Sequence, residues 1–204
     1  MLHSKDVPIS ESALLVIDAQ DSFKSTDRWQ KRNNKDFEKN VARLINLYRE
    51  HGLTVIYFLH SDEDPGFETT SPHYKLMDFL SPRDCEPVIH KVTRNVFTST
   101  GLPALLMQKG VRRVLITGIQ MEQCCETSAR VAADLGYAVD FISEATMTFP
   151  IPNHDRPGEE LSADAVRERT EYALRRRFAR IATVAEVAKE LQAASSSAAA
   201  AAKP

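Results

Sequence analysis

Apolar positions in this chain follow two alternating rhythms. Ala13-Leu14-Leu15-Val16-Ile17, the segment from Leu53 to Leu59, and Val114-Leu115-Ile116-Thr117 are unbroken runs without in–out alternation. That is the pattern of parallel strands covered on both faces. Between and after them apolar residues recur every three or four positions. The spacing predicts a helix over Lys35–His51, with Phe37, Val41, Leu44, Ile45 and Tyr48 on one face and Gly52 as its stop. It predicts others over Thr100–Lys109 (capped by Ser99 or Thr100 and closed by Gly110), from Met121 to Gly136, over Ser162–Phe178 behind a Ser–Asp cap, and over Val184–Ala194.

Shorter strands are expected at Pro87–His90, Ala138–Ile142 and Ile181–Val184, with Gly118 ending the strand before it. The loops fall at residues 19–34, at 61–86 with a helical turn around Tyr74 to Leu80, and at 143–158. Strand–helix alternation of this kind implies an α/β, three-layer αβα fold: a six-stranded, mostly parallel, Rossmann-like sheet with helices on both faces. Residues 1–194 read as a single domain, and residues 195–204 as a low-complexity Ser/Ala tail.

Composition narrows the function. The chain has 204 residues, enough for one sizeable core, and a formal charge of −2. Nucleic acid is therefore not an expected partner, and Arg175-Arg176-Arg177 reads as a solvated helix face. No apolar stretch is long enough to span a bilayer, and the first ten residues do not read as a signal peptide, so no membrane partner is expected. Three cysteines, two of them adjacent, do not make a disulfide framework, which places the chain in a reducing cytoplasm. Neither G-x-G-x-x-G nor G-x-x-x-x-G-K-[ST] occurs, so no nucleotide cradle is present and no cofactor is expected.

In open parallel sheets, ligands bind beyond the carboxyl ends of the strands. Asp18, His60, Lys91 and the turn before Cys124 all fall at such ends. A cysteine in the first turn of a helix meets free N–H groups and a positive dipole end, which favour thiolate and offer donors to an oxyanion. Against this, Glu122 is a nearby negative charge, and a cysteine at such a junction can be a small buried hydrophobe. Asp18 can act as the base and Lys91 can hold negative charge beside it. Taken singly, these two read as a capping carboxylate and a surface lysine.

Taken together, these residues resemble the isochorismatase-like cysteine hydrolases, a family that includes nicotinamidases and N-carbamoylsarcosine, biuret, ureidoacrylate and streptothricin hydrolases. The likeness runs from Ala13 to Val187. LLVIDAQDSF is similar to the strand ending in the family's catalytic aspartate. His90-Lys91 through Phe97 is similar to its catalytic-lysine segment. In GIQMEQCCETSARVAADLGY, Gly118, Cys124 and Ser128 match the nucleophile motif. The resemblance implies cysteine-dependent hydrolysis of a C–N bond (amide, carbamoyl or lactam) in a small molecule, with Asp18, Lys91 and Cys124 catalytic. It also implies a non-proline cis peptide between Ile119 and Gln120, backbone N–H groups of Gln120 and Cys124 as the oxyanion hole, and a homodimer or larger homo-oligomer.

The substrate pocket is expected to use Gln20, Phe23, Trp29, His60 and the loop at 61–83. Nicotinamidases of the family bind a metal through an Asp-x-His pair and a further histidine. Here the order is reversed, His60-Ser61-Asp62, with His73 beyond, so no metal is expected and nicotinamide is demoted as a substrate. Asp62, Glu63, Asp64 and Glu68 read as a solvated acidic loop, with attraction of a cationic substrate as the alternative. Cys125 is expected to sit in the core, and Cys85 to be incidental. Two other functions stay open: isochorismatase-type vinyl ether hydrolysis, which needs no thiol, and a non-catalytic binding protein on the same fold.

Overall fold

The computed structural model describes residues 4–201. The first buried run forms β1 (Ser12–Ile17), followed by α1 (Phe37–Glu50), β2 (Thr54–His60), β3 (Val88–Lys91) and α2 (Leu102–Gln108). Next come β4 (Arg113–Ile119), one wide π turn at Met121–Cys125, α3 (Glu126–Asp134) and β5 (Ala138–Met147). The chain closes with β6 (Ile151–Pro152), β7 (Glu160–Leu161), α4 (Ala163–Leu174), β8 (Arg180–Ala182) and α5 (Val184–Ala201).

Six strands form one sheet in the order β3-β2-β1-β4-β5-β8, and every pairing in it is parallel. Alternate residues of β1 enter opposite cores. Leu14 and Val16 pack with Leu44, Tyr48, Val187 and Leu191 on the α1/α5 face. Ala13, Leu15 and Ile17 pack with Leu102, Leu106, Ala129 and Ala132 on the α2/α3 face. Both faces are covered, which is why β1 carries no polar alternation.

Several expectations need correction. Gly118 does not end its strand: β4 runs on to Ile119, with Gly118 at φ 127° and backed against Ile17 of β1. β5 extends five residues past Ile142 through a bulge, where Ile116 pairs with Phe141 but Gly118 pairs with Thr146. The carbonyls loosened there accept side-chain amides: Asn34 donates to Glu144 and Thr146 at 2.8 and 2.9 Å, and Asn40 donates to Glu144 at 2.7 Å.

The segment from Tyr74 to Leu80 is not helical but crosses to bridge Leu76 with Gln20. The loop expected after β5 contains the antiparallel pair β6–β7. Gly101, not Ser99 or Thr100, caps α2, and Thr100 Oγ1 accepts the N–H of Leu102 at 3.2 Å. The low-complexity Ser/Ala segment is described as far as Ala201. It continues α5 to Ala201, because alanine is the strongest helix former. Residues 202–204 lie outside the described residues.

Candidate active site

The carboxyl ends of β1, β3 and β4 converge. β1 stops at Ile17, and Asp18 leaves the sheet at φ 49°, a left-handed conformation that aspartate tolerates better than most residues. Its N–H still donates to Phe58 of β2 at 3.1 Å, and its side chain is fully buried. Lys91 ends β3 with its side chain also fully buried. Its ammonium meets Asp18 Oδ2 at 2.8 Å, the Thr93 carbonyl at 3.1 Å and Cys124 Sγ at 3.6 Å. An ammonium has three donors, and here each has an acceptor.

Cys124 sits in the π turn that opens α3, at the floor of a cavity of about 420 Å³. The Ile119–Gln120 peptide bond ahead of the turn is cis. The Gln120 carbonyl accepts the N–H groups of Gln123 and Cys125, the residues on either side of Cys124. Ser128 donates to the Cys124 carbonyl at 2.6 Å and accepts the Val96 N–H at 3.2 Å, tying the nucleophile turn to the segment after Lys91. Phe97, on that segment, packs into the α2/α3 core. Cys125 points into the core and is fully buried, and Cys85 is exposed.

Electrostatics overturn one expectation. The Cys124 thiol is raised well above its ordinary pKa, first by burial and then by the Asp18 charge, with Lys91 opposing. The helix terminus does not make a resting thiolate, because loss of water outweighs it. Glu122 is not responsible: its carboxylate accepts a hydrogen bond from the Thr148 hydroxyl. Asp18 is likewise raised by burial, opposed by Lys91. The resting arrangement is thus a thiol beside a carboxylate–ammonium pair, with the proton held until a substrate arrives.

Of the residues expected to line the pocket, Phe23 and His60 do. Gln20 and Trp29 do not. Gln20 is fully buried and clamps the end of β2, donating to the His60 carbonyl at 3.0 Å and accepting the His60 N–H at 2.8 Å. Trp29 packs against the α1/α5 core with the Arg32 guanidinium 4.3 Å from its ring centroid. Asp62, Asp64, Pro65 and Phe67 reach the cavity from the loop at 61–83 as expected, whereas Arg28, Arg94, Gln123 and Phe149 line it and were not anticipated. Arg94 lies three residues beyond Lys91, the one sequence signal that could have found it.

Asp62 is not freely solvated either. Its Oδ2 accepts from Arg94 Nη1 at 2.9 Å and lies 3.0 Å from His60 Nε2, and Arg94 Nη1 also contacts that nitrogen. The Arg94 guanidinium therefore contacts the same two atoms that an ion bridging His60 and Asp62 would need, and His73 is exposed. These residues do not fit a divalent metal. Among the described residues no other group of three or more His, Cys, Asp or Glu side chains is placed to hold one.

The Isochorismatase domain profile matches residues 12–189. The chain belongs to the isochorismatase family. It is 32% identical to the isochorismatase family protein YrdC of Bacillus subtilis (strain 168) over 141 residues, which are 68% of this chain and 75% of that one. It is 28% identical to Nicotinamidase 3 of Arabidopsis thaliana over 159 residues, covering 71% and 77% of the two chains. Among solved structures, an isochorismatase-family protein from Chromobacterium violaceum superposes with a TM-score of 0.82 at 28% identity, covering 94% of this chain and 97% of that one. The six-stranded parallel sheet is the fold of that family. Among the described residues no helix is long and apolar enough to cross a membrane.

Proposed function

We propose that this isochorismatase-family hydrolase cleaves a C–N bond (amide, carbamoyl or lactam) of a small molecule through a thioester on Cys124. The observation that carries the reading is that one ammonium, Lys91 Nζ, touches both the Asp18 carboxylate at 2.8 Å and the Cys124 sulfur at 3.6 Å, at the floor of a cavity. The similarity to a nicotinamidase supports the bond class.

In this mechanism Asp18 takes the Cys124 proton as sulfur attacks the carbonyl carbon. Burial raises the Asp18 pKa, which makes its carboxylate a stronger base for that proton. The backbone N–H groups of Gln120 and Cys124 hold the oxyanion. The tetrahedral species collapses, the C–N bond breaks, and Asp18 returns its proton to the departing nitrogen. Asp18 then deprotonates a water that attacks the thioester, releasing a carboxylic or carbamic acid and restoring the thiol. Lys91 offsets negative charge throughout.

The test is a panel of small amides, ureas and lactams scored for ammonia or amine release, with Cys124→Ala as control. Release that depends on Cys124 supports the reading, and turnover by Cys124→Ala sinks the covalent route. Hydrolysis of a vinyl ether that persists in Cys124→Ala would instead favour the thiol-independent alternative. The same reading takes the protein as a cytoplasmic homo-oligomer without nucleic-acid or membrane partners. Its three unpaired thiols agree with a reducing compartment, and the assembly is checked by sedimentation.

A further inference from the structure

The cavity above Cys124 carries polar groups that the hydrolytic cycle does not use. Gln120 lines it, and the side-chain Nε2 of that residue is buried without a hydrogen-bond partner among the described residues. His60 lines it too, only 3% exposed, with Nδ1 buried and equally unpartnered. Burial and the Lys91 charge lower the His60 pKa, so the ring is neutral at neutral pH. His60 Nε2 lies 3.0 Å from Asp62 Oδ2 and also contacts Arg94 Nη1, two neighbours that call for opposite ring tautomers. Gln120 Nε2 is thus the unpartnered donor on the cavity wall.

The charges on the walls point the same way. Asp18 is paired with Lys91, and Asp62 with Arg94 at 2.9 Å, with Asp64 also near that guanidinium. Arg28 enters the cavity from the opposite loop, its guanidinium 5.0 Å from the Phe149 ring centroid, and no carboxylate among the described residues lies within ion-pair distance of it. Glu122 is the acidic neighbour that feels its charge: Oε2 accepts from the Thr148 hydroxyl, while Oε1 is buried without a hydrogen-bond partner and is not within ion-pair distance of the guanidinium. An unused Gln120 donor and a guanidinium outside any ion pair among the described residues remain on the cavity wall, and burying a donor without an acceptor is costly.

From this we infer that the substrate is an amide carrying a carboxylate, with the carboxylate held by Arg28 and one of its oxygens, or the adjoining carbonyl, accepting from Gln120 Nε2. This names the substrate class of the hydrolase reading and rests on it. It reverses the cationic preference that the acidic loop suggests on sequence, because Arg94 occupies Asp62. Arg28 acts as a specificity residue.

The test uses matched amides of similar length: succinamate, uncharged 4-oxopentanamide and cationic 4-aminobutanamide. Binding to Cys124→Ala protein is measured by calorimetry, and ammonia release by wild-type protein is measured separately. Succinamate is expected to bind about tenfold or more tighter than the other two. Arg28→Ala should erase that preference, mainly through KM, with partial return in Arg28→Lys. Equal or weaker binding of succinamate, no binding of any of the three, or a preference unchanged in Arg28→Ala overturns the inference. Turnover without carboxylate preference would leave the hydrolase reading standing and remove this one. Selective succinamate binding without turnover of any amide would do the opposite.

Discussion

Lys91 lies two strands away from Asp18 in the sheet, yet its ammonium reaches Asp18 Oδ2 at 2.8 Å. Neighbouring strands are spaced by roughly 4.8 Å, so the lysine spans the end of β2 to make the contact. A long side chain is required there, and the pair it forms is buried on both sides.

Lys91→Met should therefore cost about 3–5 kcal/mol at neutral pH, because it strands a buried carboxylate. Burial already holds the Asp18 carboxyl above its ordinary range, so its contribution to stability is full below the unfolded pKa and is lost as pH rises through the folded one. Without Lys91 the folded value climbs further. Urea melts at several pH values should show the gap to wild type closing toward about pH 4. A gap that stays constant would mean that Asp18 is not the group concerned.

Alkylation by iodoacetamide, followed by mass spectrometry in a Cys85→Ser background, should mark Cys124 and spare Cys125. Cys124 opens to the cavity while Cys125 is fully buried. Because burial and the Asp18 charge raise the Cys124 thiol, the rate should keep rising beyond about pH 9, where an ordinary thiol levels off. A plateau reached by neutral pH would reveal a preformed thiolate.

Asp18→Asn separates the two duties of that carboxylate. It removes the charge that disfavours thiolate and leaves the Lys91 charge that favours it. Alkylation at neutral pH should quicken by about tenfold, while amide turnover falls by roughly 10²–10⁴. An Asp18→Asn enzyme alkylated more slowly than wild type would contradict the arrangement.

Gly118→Ala should unfold the site from within. An added Cβ would meet the Ile17 carbonyl oxygen at 1.8 Å, and Gly118 holds φ at 127°. The loss should be several kcal/mol, at least ~3, read as a fall in melting temperature or in soluble yield. A wild-type melting curve would show that β1 and β4 can part there at little cost.

The buried runs and the residues at their tips were legible before any coordinates, because each depends only on its near neighbours. Strand period placed Asp18 and Lys91 at carboxyl ends, helical period placed Cys124 in the first turn before α3, and short ordered motifs were enough to name the family. Which side chains share the cavity depended instead on how distant loops cross the sheet. Gln20 turned away to clasp the backbone of His60, 40 positions along the chain, and Asn34 reached Glu144 to steady a bulge that no local pattern announced. Arg28 and Arg94 came to line the same cavity as Cys124 for the same reason. Even the state of the Cys124 thiol was decided by the water that folding excludes, a property no stretch of sequence possesses by itself.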